Sequence, residues 1–442
     1  MTLKELKQIV LKEIDSNRDR IISLAKSIFA EPEVGYKEYK TAEKVKHVFT
    51  EWGIKTKSGL ALTGIRGTLK GARPGPCIGI LSELDALINP EHPAADPETG
   101  AVHACGHFAQ VGWMIGAGFG LRKVTDELCG KVVLFAVPAE EFINLEFRQK
   151  LKDKGKIKYF GGKQELARLG EFNDIDLMIM NHAQSELPGR KVFFTDGSNG
   201  FVGKYARFLG RAAHAGLAPD KGINALNAFN IALAAIHAQR ETFKDEDMVR
   251  VHPIITKGGD SVNVVPSEVT SEMYVRARTT SAIKEVNGKV DRALKAGAMG
   301  VGARVEITTT AGYMPLINND KLQKLMAQNA ADLIGKENVL FRGAFGGSTD
   351  MGDLTHLKPG IHPMVGGFSG DLHSKDFKIT DEEMAFIIPA KINALTVVDL
   401  LYGDGGKAKE IISKYKPLLN KKEYEQLLDS LNYKILWNPE EV

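Results

Sequence analysis

The sequence predicts an α/β fold: a mixed, largely parallel sheet flanked by helices, with a smaller α+β domain inserted into it. Three observations carry that expectation. Short apolar runs at 78–85, 132–141 and 176–182 each end in a polar cluster, as buried strands that deliver groups to one sheet edge do. Apolar residues at Leu3, Leu6, Val10, Ile14, Ile21, Leu24, Ile28 and Phe29 recur near helical spacing until Pro32 stops them. Near Gly197 the texture changes to Phe201-Val-Gly-Lys-Tyr-Ala-Arg-Phe-Leu-Gly210, which alternates like a half-exposed strand.

The remaining elements follow in chain order. A second helix is expected over 40–52 and a small-residue helix over 108–123. After the alternating strand come an Ala-rich helix over 224–239, a strand near Ile254, a strand over 269–278, a helix over 283–297 and a strand over 304–309. That segment forms a compact α+β unit, so the expected organisation is one discontinuous domain of residues 1–196 and 312–442 with an insertion at 197–311. Beyond Gly312 helices and short strands resume, with a Gly-rich stretch at 343–352 and a charged helical extension after Gly403.

Composition narrows the function classes. The 442 residues, 43% hydrophobic and 26% charged, can bury more than one core. The 58 basic and 55 acidic residues are interspersed, leaving no basic stripe for a polyanion, so nucleic acid is not an expected partner. The most membrane-like segment, 384–401, is interrupted by Pro389, Lys391 and Asp399 and reads as a core helix, not a span. Three cysteines, Cys77, Cys105 and Cys129, are too few for a disulfide framework and indicate a reducing compartment. The N-terminus lacks the apolar stretch of a secretory signal, so a cytoplasmic location is expected.

Three clusters can carry chemistry. His103-Ala-Cys105-Gly-His107 combines a thiol and imidazoles, a donor set suited to zinc or a related divalent ion. Taken alone it fits buried structural residues as well, or a catalytic thiol whose pKa is lowered by a helix N-terminus and a nearby imidazole. Glu140-Glu141 follows a strand and Pro138, so one carboxylate can bind metal while its neighbour handles protons. Paired glutamates are also common on solvated loops. His182 ends an apolar run, and His373 lies in Gly370-Asp-Leu-His373-Ser-Lys after a strand at 364–365. What joins them is shared placement at the carboxyl ends of strands, where sites form in open α/β sheets.

Two other patterns carry nothing. Gly116-Ala-Gly118-Phe-Gly120 has the wrong spacing for a dinucleotide loop and sits within a helix. Asp15-Ser-Asn17-Arg-Asp19 lacks the glycine and closing glutamate of a calcium loop.

Together these residues resemble the aminoacylase and carboxypeptidase superfamily of metallohydrolases, in the subgroup of the indole-acetyl-amino-acid amidohydrolases and p-aminobenzoyl-glutamate hydrolase. The landmarks run in the family's order: Glu31-Pro-Glu-Val-Gly-Tyr, Glu83-Leu-Asp85-Ala-Leu, His103-Ala-Cys-Gly-His107, Pro138-Ala-Glu140-Glu141, Asn181-His182, Ala213-His214-Ala-Gly and Leu372-His373-Ser. The resemblance implies one or two divalent ions, zinc or manganese, held by Cys105, His107, Glu141, His182 and His373, with Glu140 activating water. It implies that the 197–311 segment is a lid or dimerisation domain through which two copies associate. From there His214 would polarise the scissile carbonyl in a partner's site, while Asn263 and Arg276 hold the substrate carbonyl or carboxylate. Arg suits that task because its fork pairs bidentately with carboxylate.

The implied reaction is cleavage of the amide bond of an N-acyl or aroyl amino acid or a small dipeptide. Gly347-Ser-Thr-Asp350-Met-Gly-Asp353 tilts the substrate toward an acyl or aroyl amino acid. Departures from the pattern bear on specificity. Phe108 follows His107 where the family has an acidic or amide residue, Glu83 replaces an aspartate, and the segment 142–160 is longer and more charged than the family's link, with a charged middle expected to be a solvated surface insertion. A cysteine hydrolase using Cys105, a non-catalytic metal-binding sensor and a metal-dependent deaminase are the rival readings.

Overall fold

A computed structural model of the chain describes residues 1–185 and 189–439. They form two compact units: Met1–Gly197 with Ile317–Ala344 and Asp353–Lys421, and Ser198–Leu316 with Phe345–Gly352 and the chain from Lys422 onward.

In the larger unit a six-stranded sheet runs in the order Lys55–Leu60, Gly64–Lys70, Cys129–Val137, Arg73–Glu83, Leu177–Ile179, Gly360–Ile361. Its inner ladders are parallel, with Ile80 opposite Leu134 on one side and Ile179 on the other, and only the strands before Cys129–Val137 pair antiparallel. Parallel strands point one way, so Glu83, Pro138 and Met180 all emerge at one edge. That edge carries the site. A second sheet pairs His182–Ala183 with Met364–Val365 and places His182 beside the same edge.

The apolar pattern of the first thirty residues is carried by two helices, Leu3–Ser16 and Arg18–Phe29, parted at Asn17, whose side-chain amide bonds back to the Glu13 carbonyl. Thr2 and Glu5 cap the first helix reciprocally. Both pack on helix His107–Arg122, whose many small residues make it almost wholly buried. The 384–401 segment is a core helix: a π-turn at Glu383–Ile387 leads directly into Ile388–Leu401, with Pro389 just after the junction.

The 142–160 segment is only partly the solvated insertion expected. Its charged middle, 153–156, is exposed, but Phe142, Ile157, Tyr159 and Phe160 are buried, and helix Leu145–Asp153 turns Arg148 wholly inward. Apolar flanks anchor what the charge alone presents as a surface loop.

The smaller unit is a five-stranded antiparallel sheet in the order Arg250–Lys257, Glu268–Ala277, Gly200–Leu209, Arg304–Ala311, Tyr433–Trp437, with helices Ala225–Ala238 and Thr280–Met299 packed together against it. Two assignments differ from expectation. Residues 345–352 and the chain from Lys422 belong here, not with the larger unit, and the tail ends in a strand instead of remaining helical. The reason is an open ladder on Arg304–Ala311 that Tyr433–Trp437 completes. Its Tyr433 hydroxyl donates to Asp291 and accepts from Asn287, each at 2.6 Å. Replacing Tyr433 by Phe should therefore cost roughly 1–3 kcal/mol of unfolding free energy, read from urea transitions, because it strips two partly buried partners at once.

Candidate metal centre

The motif around Cys105 is shaped by a glycine. Gly106 adopts φ +86° at the N-terminus of helix His107–Arg122, and a methyl group there would sit 2.4 Å from the Ala183 Cβ. The turn thus sends Cys105 and His107 to one side and lets strand His182–Ala183 approach. Ala139 and His373, both non-glycine residues, also have positive φ (+55° and +67°), a sparsely populated conformation held by surrounding bonds. The Ala139 amide donates to the buried Glu38 carboxyl group at 2.8 Å, and the His373 amide donates to the Ala104 carbonyl at 2.8 Å. Burial, with Asp85 nearby, pushes Glu38 up to about 8, so it stays protonated at neutral pH.

Two groups of donors converge and share one atom. Cys105, His107 and His182 form one, and Cys105, Glu141 and His373 the other, with ligand atoms in each within 4.8 Å of one another. Cys105 Sγ lies 3.4 Å from His182 Nε2 and 3.2 Å from His373 Nε2, while His373 Nε2 lies 3.3 Å from Glu141 Oε1. The other ring nitrogens are anchored outward: His107 Nδ1 meets the Asp85 carbonyl and His182 Nδ1 the Ala183 carbonyl, both at 2.8 Å. Such bonds fix the tautomer and free Nε2 for a ligand role.

Electrostatics make the set suitable for a cation. Burial and Glu141 push the Cys105 thiol up, yet His182, His373 and His107 outweigh them and bring it down to about 6. Cys105 in turn, with help from Glu141 and against burial, raises His373 to about 11. Burial opposes ionisation of Glu141, but His373 and His107 hold it down at about 2. The site is thus a thiolate and carboxylates stabilised by protonated imidazoles, and a divalent ion satisfies the same charges in place of those protons. Among the described residues, buried His107 Nε2 and Glu141 Oε1 also meet no hydrogen-bond partner in acceptable geometry, a cost that coordination removes. Thiolate, imidazole and carboxylate donors fit zinc or a related divalent ion.

Glu140, also buried, groups with Glu83 and His107. Glu83 Oε2 sits 3.0 Å from His107 Nε2 and accepts from Gln110 Nε2 at 2.7 Å, and Lys163 Nζ pairs with Glu83 Oε1 at 2.6 Å. Both Glu83 and Lys163 are fully buried. Asp85 accepts the Glu141 amide at 2.9 Å. Arg148 donates to the backbone carbonyls of Glu141 and Phe160, tying the 142–160 segment to the carboxylate pair.

The structure brings together all six residues expected from the larger unit: Cys105, His107, Glu140, Glu141, His182 and His373. Phe108 turns away from His107 into the core, against Phe29 at 4.9 Å and Phe386 at 6.0 Å. His103, buried beside Phe108, is pushed by burial down to about 3 and stays neutral. Lys163, Gln110, Arg148 and His362, whose ring lies 5.6 Å from that of His182, escape the sequence reading. Only Gln110 leaves a signal, three residues after His107 on one helix face.

In the smaller unit, exposed His214 Nδ1 accepts from the Gly216 and Leu217 amides, and the Asn263 carbonyl accepts from the Ala215 amide, so these two residues lie on adjoining turns. Arg276, on strand Glu268–Ala277, donates to Ser348 Oγ at 3.0 Å and lies over the Phe201 and Tyr274 rings.

Removing the buried ammonium has a definite expected effect. Lys163→Met removes the ammonium paired with the buried Glu83 carboxylate and should destabilise the protein by about 3–5 kcal/mol in denaturant titrations. Pairing it with Glu83→Gln should restore much of that loss.

The model of peptidase family M20/M25/M40 matches residues 79–390. The mouse (Mus musculus) Xaa-Arg dipeptidase is 29% identical over 384 residues, 82% of this chain and 80% of that protein. An IAA-amino acid hydrolase of Arabidopsis thaliana is 24% identical, over 83% of each. The fold matches the crystal structure of a Bacillus subtilis protein described as a dinuclear metal binding peptidase from the M20 family, with TM-score 0.68 and 22% identity over 88% of this chain and 99% of that one. With the family model spanning well over half of the sequence and every cluster of the site lying on or inside that span, the chain belongs to peptidase family M20/M25/M40.

Proposed function

We propose that the chain is a metal-dependent amidohydrolase that cleaves the amide bond of an N-acyl or aroyl amino acid or a small dipeptide, with Glu140 as general base. The observation that carries this reading is the pair of donor groups sharing Cys105. One or two divalent ions, zinc or manganese, would be held by Cys105, His107 and His182 and by Cys105, Glu141 and His373. When bound, such ions polarise a carbonyl and lower the pKa of water. Glu140, the neighbour of ligand Glu141, accepts the proton of the attacking water and returns it to the amine nitrogen as the C–N bond breaks. The relatives named as a dipeptidase and an amino acid hydrolase both act on amide bonds of aminoacyl or acyl amino acid substrates, which supports the substrate class.

The 197–311 segment is proposed to join two copies. Support comes from the edge strand Arg250–Lys257, whose Ile254 and Ile255 are exposed beside an unpaired ladder, and from exposed Leu217 and Val262 on the His214 and Asn263 turns. In that arrangement His214 reaches a partner's site and polarises the scissile carbonyl, Asn263 assists it, and Arg276 pairs with the substrate carboxylate. Three buried free thiols support a reducing, cytoplasmic setting.

The position of the Cys105 thiol between two imidazoles also fits a cysteine hydrolase. Chelation separates the two: the metal reading expects activity lost to chelator and regained with zinc or manganese, whereas a thiol enzyme survives chelation and dies on alkylation with metal present. Screening metal-loaded protein by mass spectrometry against N-acyl amino acids, aroyl-glutamates and dipeptides should reveal amide cleavage, and silence across the panel would refute it. Glu140→Gln should lower kcat by at least roughly 10²–10⁴-fold with metal content by elemental analysis unchanged. Ile254→Lys should convert a dimeric mass in light scattering to the monomeric one.

A further inference from the structure

A second concentration of charge lies in the larger unit, on residues that take no part in the donor cluster. An open cavity of about 780 Å³ is lined by Lys55, Lys57, Arg66, Lys70, Arg122 and Lys131. Only two carboxylates, Glu171 and Asp174, line it as well. The local cationic excess exceeds the net charge of +3 carried by the whole chain.

Five of the cations stand on three adjacent strands in a register that sets like charges opposite each other, and Arg122 ends helix His107–Arg122. Lys57 pairs across the ladder with Arg66, and Lys70 with Lys131. Like charges directly opposite on a sheet are destabilising, so the arrangement is unfavourable until an anion enters. Internal partners relieve it in part. Arg66 is forked onto Asp174 at 3.0 and 2.7 Å, Lys57 reaches Glu171 at 3.1 Å, and Arg122 lies over the Trp52 ring at 4.8 Å. Lys55, Lys70 and Lys131 have no side-chain hydrogen bond or ion pair among the described residues.

We propose that this cavity binds a small polyanion carrying two or more phosphate groups. Its volume is that of an ordinary small-molecule site. The cations span roughly 10 Å across the strands and about 13 Å along them, from strand spacing and rise, which is wider than a single phosphate group. Lysine ammonium groups predominate, and they engage phosphate oxygens as mobile point charges. The one well-placed guanidinium, Arg66, already has its carboxylate.

Calorimetric titration of tripolyphosphate into the metal-loaded full chain, at constant ionic strength, tests the site against a Lys70→Gln/Lys131→Gln double variant. Chelation of metal by the probe is common to both proteins and cancels in the comparison. The expected result is at least about tenfold weaker binding in the double variant, with monophosphate at least tenfold weaker than tripolyphosphate on the parent protein. Lys55→Gln, on the outer edge strand, should independently weaken binding, which keeps the test decisive if the double variant folds poorly. Equal binding by parent and both variants overturns the proposal, and so does citrate binding as tightly as tripolyphosphate, which would make the cavity a general carboxylate site.

Discussion

The structure turns on holding several negative groups together in one buried crevice. Glu83, Asp85, Glu140, Glu141 and the Cys105 thiol all lie at the carboxyl edge of a parallel sheet, and each is nine-tenths or more buried. Charges removed from water in this way are strongly unfavourable unless they are paired. The fold answers with positive charge from three directions: Lys163 on Glu83, the imidazoles around Cys105 and Glu141, and, in the working enzyme proposed, divalent cations. That requirement explains why the Lys163 ammonium, paired with Glu83, is fully buried.

Rigid support follows from the same requirement. The donors come from loops, and loops place groups precisely only when their backbones are fixed. Glu38 fixes Ala139, Asp85 fixes the Glu141 amide and the His107 ring, and Arg148 fixes the Glu141 carbonyl. The last of these makes the 142–160 segment part of the site's support. Its charged middle faces solvent while Phe142, Tyr159 and Phe160 root it in the core. Phe108 has a packing role against Phe29, and Gln110 and Lys163 supply polar contacts through Glu83.

The smaller unit is built on a different principle. Its antiparallel sheet and two packed helices leave one face and one edge exposed, and the exposed edge strand carries adjacent isoleucines. Such an edge is a hazard in an isolated molecule and an asset in an assembly. The C-terminal strand protects the opposite edge.

The sequence by itself determined the fold class and most element positions, and it named the candidate donors that the structure brings together. Two-residue and helical periodicities are local, and a C-x-H motif, a Glu-Glu pair and histidines at strand ends retain their chemical identity wherever they stand. Tertiary structure alone decided which distant side chains meet. Lys163 finding Glu83, Arg148 capping the Glu141 carbonyl and His362 lying by His182 are contacts between residues with no shared period or motif. The same is true of the tail, whose alternation from Tyr433 to Trp437 is too short to be told from a fraying helix until the open ladder of Arg304–Ala311 is present to receive it. Local pattern is written in neighbouring residues, whereas charge pairing and strand addition depend on a surface that exists only after the chain has folded.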